Sequence, residues 1–129
     1  MVLIDPRRSS SALLADRCYQ INPGTDGLLA LGLMKILIEE KLCDGEYVAR
    51  STVGFEALSE RVSRLDLVEA ARVTGISVRE MRDLARLYAT RKPALIRIGI
   101  GLQHHDNGGM AVRAIACLPA LVGAWGARG

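Results

Sequence analysis

The apolar positions change period several times along the chain, and each change marks an element. Val2-Leu3-Ile4 is a short apolar run ended by Asp5-Pro6, which predicts a buried strand. Residues 7–16 are small and polar, a loose turn, and residues 18–21 predict a second short strand stopped by Asn22-Pro23-Gly24. Thr25 is placed to cap a helix from residue 26 to about residue 42. In that helix Leu28, Leu29, Leu31, Leu33, Met34, Ile36, Leu37 and Ile38 point in nearly every direction. A helix apolar all round is buried on more than one side, and Glu39, Glu40 and Lys41 mark the end that reaches water.

Residues 44–91 are helical with clear punctuation. Asp44 opens a short helix carrying Tyr47 and Val48, and Phe55, Leu58, Val62 and Leu65 then recur every three or four residues. Asp66 is placed to cap residues 67–73, and Gly75 stands where a left-handed stop is needed. Ser77-Val78-Arg79-Glu80 fits a capping box, with Ile76 and Met81 at the two staple positions around it. The next helix sets Val78, Met81, Leu84, Ala85 and Tyr88 against Arg79, Glu80, Arg82, Asp83 and Arg86. Pro93 ends this block. Residues 94–99 then predict a strand, apolar except for Arg97, running into Gly99-Ile100-Gly101, a polar loop over 103–109 and a helix over about 110–122. Strand, helices, strand and helix in this order predict an α/β, Rossmann-like parallel sheet with a helical insertion between strands.

Composition narrows the class without naming a function. Half of the 129 residues are apolar and 24% are charged, the balance of a globular domain. The net charge of +3 is too small to argue for nucleic acid, and Phe55, Trp125, Tyr19, Tyr47 and Tyr88 are too scattered for a stacking platform. Arginine supplies 14 of the 17 cations, which favours bidentate carboxylate or phosphate partners. Cys18, Cys43 and Cys117 are odd in number and lack CxxC spacing, so reduced thiols in a cytoplasmic setting are expected. The longest apolar stretch, residues 110–125, is broken by Arg113, Pro119 and Gly123 and is too short to predict a membrane span. A strand-like start at residue 2 and an apolar helix followed only by Gly-Ala-Arg-Gly predict a segment, residues 1–129, cut from a longer chain.

Ligands of open α/β sheets bind beyond the carboxyl ends of strands, and three loops take such places. Asp5-Pro6-Arg7-Arg8-Ser9 offers a carboxylate for ribose hydroxyls and arginines for phosphate, or is a solvated turn. Pro23-Gly24-Thr25-Asp26 opens a buried helix, where free N–H groups favour anionic or polar groups, or Asp26 only steadies the first turn. The stretch 99–109 offers glycines for close backbone approach and the polar side chains of Gln103, His104, His105 and Asn107. No Walker loop, completed GxGxxG or nucleophile–base arrangement is present, and the paired histidines lack a third ligand at suitable spacing.

The linear order of these loops carries more. VLIDPRRSSSALLAD, INPGTDGLLALGLMKILIEEKLCDGEYV, VGFEAL, VTGISVREMRDLARLYA and IGIGLQHHDNGGMAVRAIACLPALVGAWG together resemble the molybdopterin oxidoreductases of the dimethyl-sulfoxide-reductase type, which include formate dehydrogenases and nitrate reductases. The resemblance covers essentially the whole chain. It implies an internal α/β domain of a much larger catalytic subunit, contributing to one guanine dinucleotide arm of a molybdenum bis(molybdopterin guanine dinucleotide) cofactor and inactive alone. By resemblance, Asp5 and Arg7 meet the nucleotide, Gly24, Thr25 and Asp26 form the guanosine-contacting turn, and Ile100, Gly101, Gln103 and His104 approach the dinucleotide and pterin. Many relatives carry Gln where His104 stands here, one place after Gln103, so both are candidates for that contact. The family's iron–sulfur cysteines and molybdenum ligand have no counterpart here, so a parent's iron–sulfur cluster would be bound outside this segment. The partners implied are the parent's remaining domains, with self-association expected of the isolated piece through its apolar C-terminal helix. The rival readings are a stand-alone helical interaction module and an ordinary NAD-binding domain.

Overall fold

The two N-terminal apolar runs pair with each other. In the computed structural model, which describes residues 1–126, β1 (Val2–Ile4) and β2 (Arg17–Tyr19) form a parallel pair. Val2 lies opposite Arg17, Leu3 opposite Cys18 and Ile4 opposite Tyr19. The Asp5 N–H continues the ladder by donating to Tyr19 O at 3.1 Å. The loose turn between them contains a 3-10 turn at Ser10–Leu13.

Helix α1 (Asp26–Glu39) is buried on several sides, as its apolar pattern requires: Met34, Ile36 and Leu37 have no exposed surface, and it touches α3, α4, α5 and α6. It stops three residues before the expected end. Lys41 takes a left-handed φ of 56°, and the Leu42 N–H donates back to Leu37 O at 2.8 Å, a Schellman ending. No glycine advertises that stop in the sequence.

The helical insertion comprises α2 (Gly45–Ser51), α3 (Phe55–Ser63), α4 (Leu67–Thr74) and α5 (Val78–Thr90). Its punctuation works as the residue types dictate. Asp44 accepts from Tyr47 N at 3.0 Å, and Asp66 accepts from Val68 N at 2.8 Å. Ser77 and Glu80 form a reciprocal capping box. Ile76 and Met81 are both buried beside it, and Gly75 holds a φ of 77°. One charged cluster ties the insertion to α1. The Glu40 carboxylate accepts from Arg86 Nε at 2.6 Å and from Arg82 Nη1 at 2.7 Å. Those arginines, Arg86 foremost, hold the Glu40 carboxyl below its ordinary pKa.

The expected strand over 94–99 does not form as a paired strand. Ala94, Ile96 and Ile98 are half-buried while Leu95, Arg97 and Gly99 are exposed, the alternation of a strand. No backbone hydrogen bond joins residues 94–98 to any other described residue, however. A strand needs a neighbour to complete its ladder, and β1 does not reach this one. A 3-10 turn (Ile100–His104) replaces part of the expected polar loop, and α6 (Gly108–Leu121) starts two residues early and keeps Pro119 inside it. Residues 127–129, the last three of the closing Gly-Ala-Arg-Gly, lie outside the described residues.

Candidate functional site

The turn before α1 is pinned from behind. Asn22 donates through its backbone N–H to Thr74 O at 2.8 Å and through Nδ2 to Val73 O at 2.8 Å, both at the end of α4. Gly24 holds a φ of +77°, a conformation most side chains resist. Thr25 sits at the cap position, but its hydroxyl donates back to Asn22 O at 2.7 Å rather than accepting from the helix. The expected side-chain cap is therefore missing. The N–H groups of Asp26, Gly27 and Leu28 have no acceptor among the described residues.

A second helix start lies beside the first. A Cβ at Gly27 would be 3.2 Å from Ala111 Cα, so the first turns of α1 and α6 touch. Asn107 precedes α6 in a left-handed conformation (φ 61°) and offers no side-chain cap. Two helix N-termini, each carrying a partial positive charge, thus open side by side.

The start of α1 opens, at Asp26, onto a groove of about 990 Å³ between β1 and residues 94–99, floored by Leu29, Leu33, Leu84, Tyr88 and Leu118. Asp5, Asp26, Gly99, Gly101 and His105 line its rim where β1 and residues 94–98 end. The Asp5 Oδ1 accepts from Arg7 N at 2.7 Å, which folds the Asp-Pro-Arg turn. The Asp26 carboxylate has no hydrogen bond or ion pair among the described residues.

Of the nine candidate residues, the groove therefore gathers Asp5, Asp26 and Gly101. Gly24 sits one contact behind, against His105, whose Cγ and Nδ1 lie 3.4 Å, van der Waals distance, from a Cβ built at Gly24. Arg7, Thr25, Ile100, Gln103 and His104 do not line the groove, and Arg7, Ile100, Gln103 and His104 face solvent. His105 is the residue the sequence reading passes over in favour of its two predecessors. Its only sequence signal is its adjacency to His104.

Tyr88, on the groove floor, carries a buried hydroxyl without a partner among the described residues, and burial pushes its pKa up to about 12. Cys18, Cys43 and Cys117 are half-buried free thiols, and burial raises the Cys43 pKa. No group of three or more His, Cys, Asp or Glu side chains among the described residues is placed to hold a metal. No described helix is long and apolar enough to cross a membrane.

Comparison with known proteins places this geometry in context. The family described as molybdopterin oxidoreductase matches residues 1–129. The chain is 47% identical over 125 residues to the probable oxidoreductase YoaE of Bacillus subtilis, covering 97% of this chain and 18% of that protein. It is 32% identical over 123 residues to formate dehydrogenase H of Escherichia coli, covering 95% of this chain and 17% of that one. The solved acetylene hydratase from Pelobacter acetylenicus superposes with a TM-score of 0.90 at 38% identity, over 95% of this chain and 17% of that chain. The chain thus spans under a fifth of the length of these relatives. With its whole length matched and its fold reproduced, the chain belongs to the molybdopterin oxidoreductase family.

Proposed function

We propose that these residues form one segment of a larger molybdopterin-dependent oxidoreductase subunit and help to bind a guanine dinucleotide arm of its molybdenum cofactor. The observation that carries this reading is the uncapped start of α1, where the N–H groups of Asp26, Gly27 and Leu28 have no acceptor among the described residues, beside the Asp5 and Asp26 carboxylates on one rim. That donor set fits a phosphorylated nucleoside. Free N–H groups at a positive helix end suit phosphate oxygens, and the half-buried Asp5 and Asp26 carboxylates suit ribose hydroxyls and base N–H groups. Gly101 has nothing within 4 Å of where a side chain would project, so a ligand can approach its backbone closely.

In this reading Asp5 accepts from the ribose, Arg7 turns toward phosphate, and the Gly24-Thr25-Asp26 turn meets the guanosine. Ile100, Gly101, Gln103 and His104 border the dinucleotide and pterin. When bound, the cofactor supplies the two-electron or oxygen-atom-transfer chemistry, and this segment only positions it. An iron–sulfur cluster of the parent would be bound elsewhere in the subunit. Relatives are named as a formate dehydrogenase, a nitrate reductase and a hydratase, so the substrate is chosen by residues beyond this segment.

Two results test the reading. Titrated with GDP, the chain is expected to shift the amide signals of Asp5, Asp26 and Gly101, with ADP weaker by about tenfold or more, the lower range for hydrogen bonds to a charged group. Equal affinity for the two nucleotides, or no shift at these positions, overturns it. The isolated chain is also expected to show no dye-linked turnover of formate, nitrate or sulfoxides. Turnover that a point change within these residues abolishes would contradict a holder's role.

A further inference from the structure

Asn22 serves a helix end 51 residues away as well as the turn it opens. The last carbonyls of a helix have no partner within it, and Asn22 takes two of those at the end of α4. Its N–H donates to Thr74 O and its Nδ2 to Val73 O, each at 2.8 Å. The corner that presents these carbonyls is firmly built. Thr74 is fully buried, and its hydroxyl donates to Ala70 O at 2.8 Å and accepts from Ile76 N at 3.2 Å. On its other side Asn22 O accepts from Thr25 N at 3.3 Å and from the Thr25 hydroxyl at 2.7 Å. Between these bonds stand Pro23 and Gly24 (φ +77°), the residue pair of a type II turn. Such a turn needs nothing from the Asn22 side chain, whose one partner among the described residues is Val73 O. Pro23 and Gly24 give the turn its shape, and Asn22 gives it its place.

We propose that Asn22 is a positioning residue for Asp26, through which the end of α4 sets where the Asp26 carboxylate stands and so which base the site accepts. Asp26 is the first residue of α1 and follows the turn directly. Beyond it the helix is fixed by its own burial, at Leu29, Ala30, Leu33 and Met34. At the joint between turn and helix, Thr25 supplies no side-chain cap, and the Asp26 carboxylate has no partner among the described residues. The placement of that carboxylate therefore follows the placement of the turn. A bidentate contact with a base edge tolerates little displacement, whereas a phosphate on helix N–H groups is held by the buried body of α1. Asn22 itself is exposed, so water can replace its side-chain hydrogen bond and the loss costs the fold little. A residue that only finished α4 would affect both nucleotides alike. The consequence for base choice rests on the reading of the site as a guanine nucleotide site, but the anchoring of the turn does not.

Two substitutions grade the effect. Asn22→Ala removes the side-chain donor, and Asn22→Asp keeps its size while setting a carboxylate oxygen against Val73 O. Without nucleotide, amide exchange at position 22, corrected for intrinsic rates, is expected to quicken by about tenfold or more in Asn22→Asp and by less in Asn22→Ala. The Thr25 amide, held by the shape of the turn, is expected to stay within about threefold of wild type. With nucleotide, the preference for GDP over ADP is expected to fall by about threefold in Asn22→Ala and by about fivefold or more in Asn22→Asp, while ADP affinity stays within about twofold. In an Asp26→Ala background, Asn22→Asp is expected to change neither affinity further, because it acts through that carboxylate. Four outcomes overturn the proposal: exchange at position 22 is unchanged, GDP preference survives Asn22→Asp, GDP and ADP weaken alike, or the effect persists without Asp26. A wild-type chain that binds GDP and ADP equally refutes the nucleotide reading and the base choice with it, whereas the exchange comparison contains no nucleotide and decides the anchoring separately.

Discussion

Replacing Asp26 by alanine in the full-length subunit is expected to strip the cofactor while leaving the apo-protein as stable as before. The guanine edge presents N1–H and an exocyclic amine side by side, and a carboxylate accepts both as a bidentate pair. Adenine offers an acceptor at N1 and cannot pair in that way. Asp26 is suited to the task because its carboxylate has no partner among the described residues and stands on the rim of the groove. Its backbone is held by the turn anchored through Asn22 on the end of α4. Hydrogen bonds to a charged group contribute roughly 1.5–3 kcal/mol, so Asp26→Ala should weaken cofactor binding by about 10- to 150-fold. The competing role is stabilisation of the first turn of α1, worth about 0.3–1 kcal/mol, which predicts a small loss of stability and no change in ligand. Molybdenum and guanine content per purified chain, at matched expression, separates the two. Equal loading in wild type and variant would return Asp26 to the helix.

The parts of this fold that local chemistry determines were legible in advance. Asp44, Asp66, Gly75 and the Ser77–Glu80 box each act within three or four residues of themselves, and each does what its residue type dictates. The all-round apolar character of α1 likewise foretold its burial. What the sequence did not show depends on neighbours. Residues 94–98 have the alternation of a strand, but pairing is a property of two segments, and no described segment pairs with this one. The end of α1 was misplaced because Lys41, not a glycine, takes the left-handed position. Thr25 has the right side chain for a cap, but its hydroxyl finds Asn22 O closer to hand.

The site divides in the same way. Asp5 and Asp26 follow directly from the rule that ligands meet an α/β sheet at strand ends and helix starts, and both stand on the rim. The third loop is harder, because a 3-10 turn over Ile100–His104 decides which of three consecutive polar residues borders the groove. That turn leaves Gln103, His104 and His105 all exposed, but it is His105 that lies against Gly24 and on the groove's rim. Spacing alone does not reveal it, since the turn is set by contact with the start of α6.

That contact makes Gly108 a residue whose replacement by alanine should cost stability. A Cβ there would lie 2.9 Å from Gln103 Cα, 2.9 Å from Leu102 O and 3.0 Å from Gln103 O. All three are backbone atoms, so no side chain can swing aside, and either α6 or the 3-10 turn must move. Overpacking of this kind costs about 1–3 kcal/mol, so Gly108→Ala should lower the melting temperature by roughly 3–12 °C. The same displacement moves Gly101 and His105 on the rim, so the preference for GDP should weaken with it. Gly109 is the internal control. It is the next residue of the same helix, and nothing lies within 4 Å of where its side chain would project. Gly109→Ala should therefore be neutral or stabilising by up to about 1 kcal/mol, because alanine surrenders less backbone entropy in a helix. Thermal denaturation and GDP titration of the two variants decide the matter. If Gly108→Ala and Gly109→Ala melt alike, the close approach of α6 to the Leu102–Gln103 backbone does not constrain the loop, and the placement of His105 on the rim loses its physical basis.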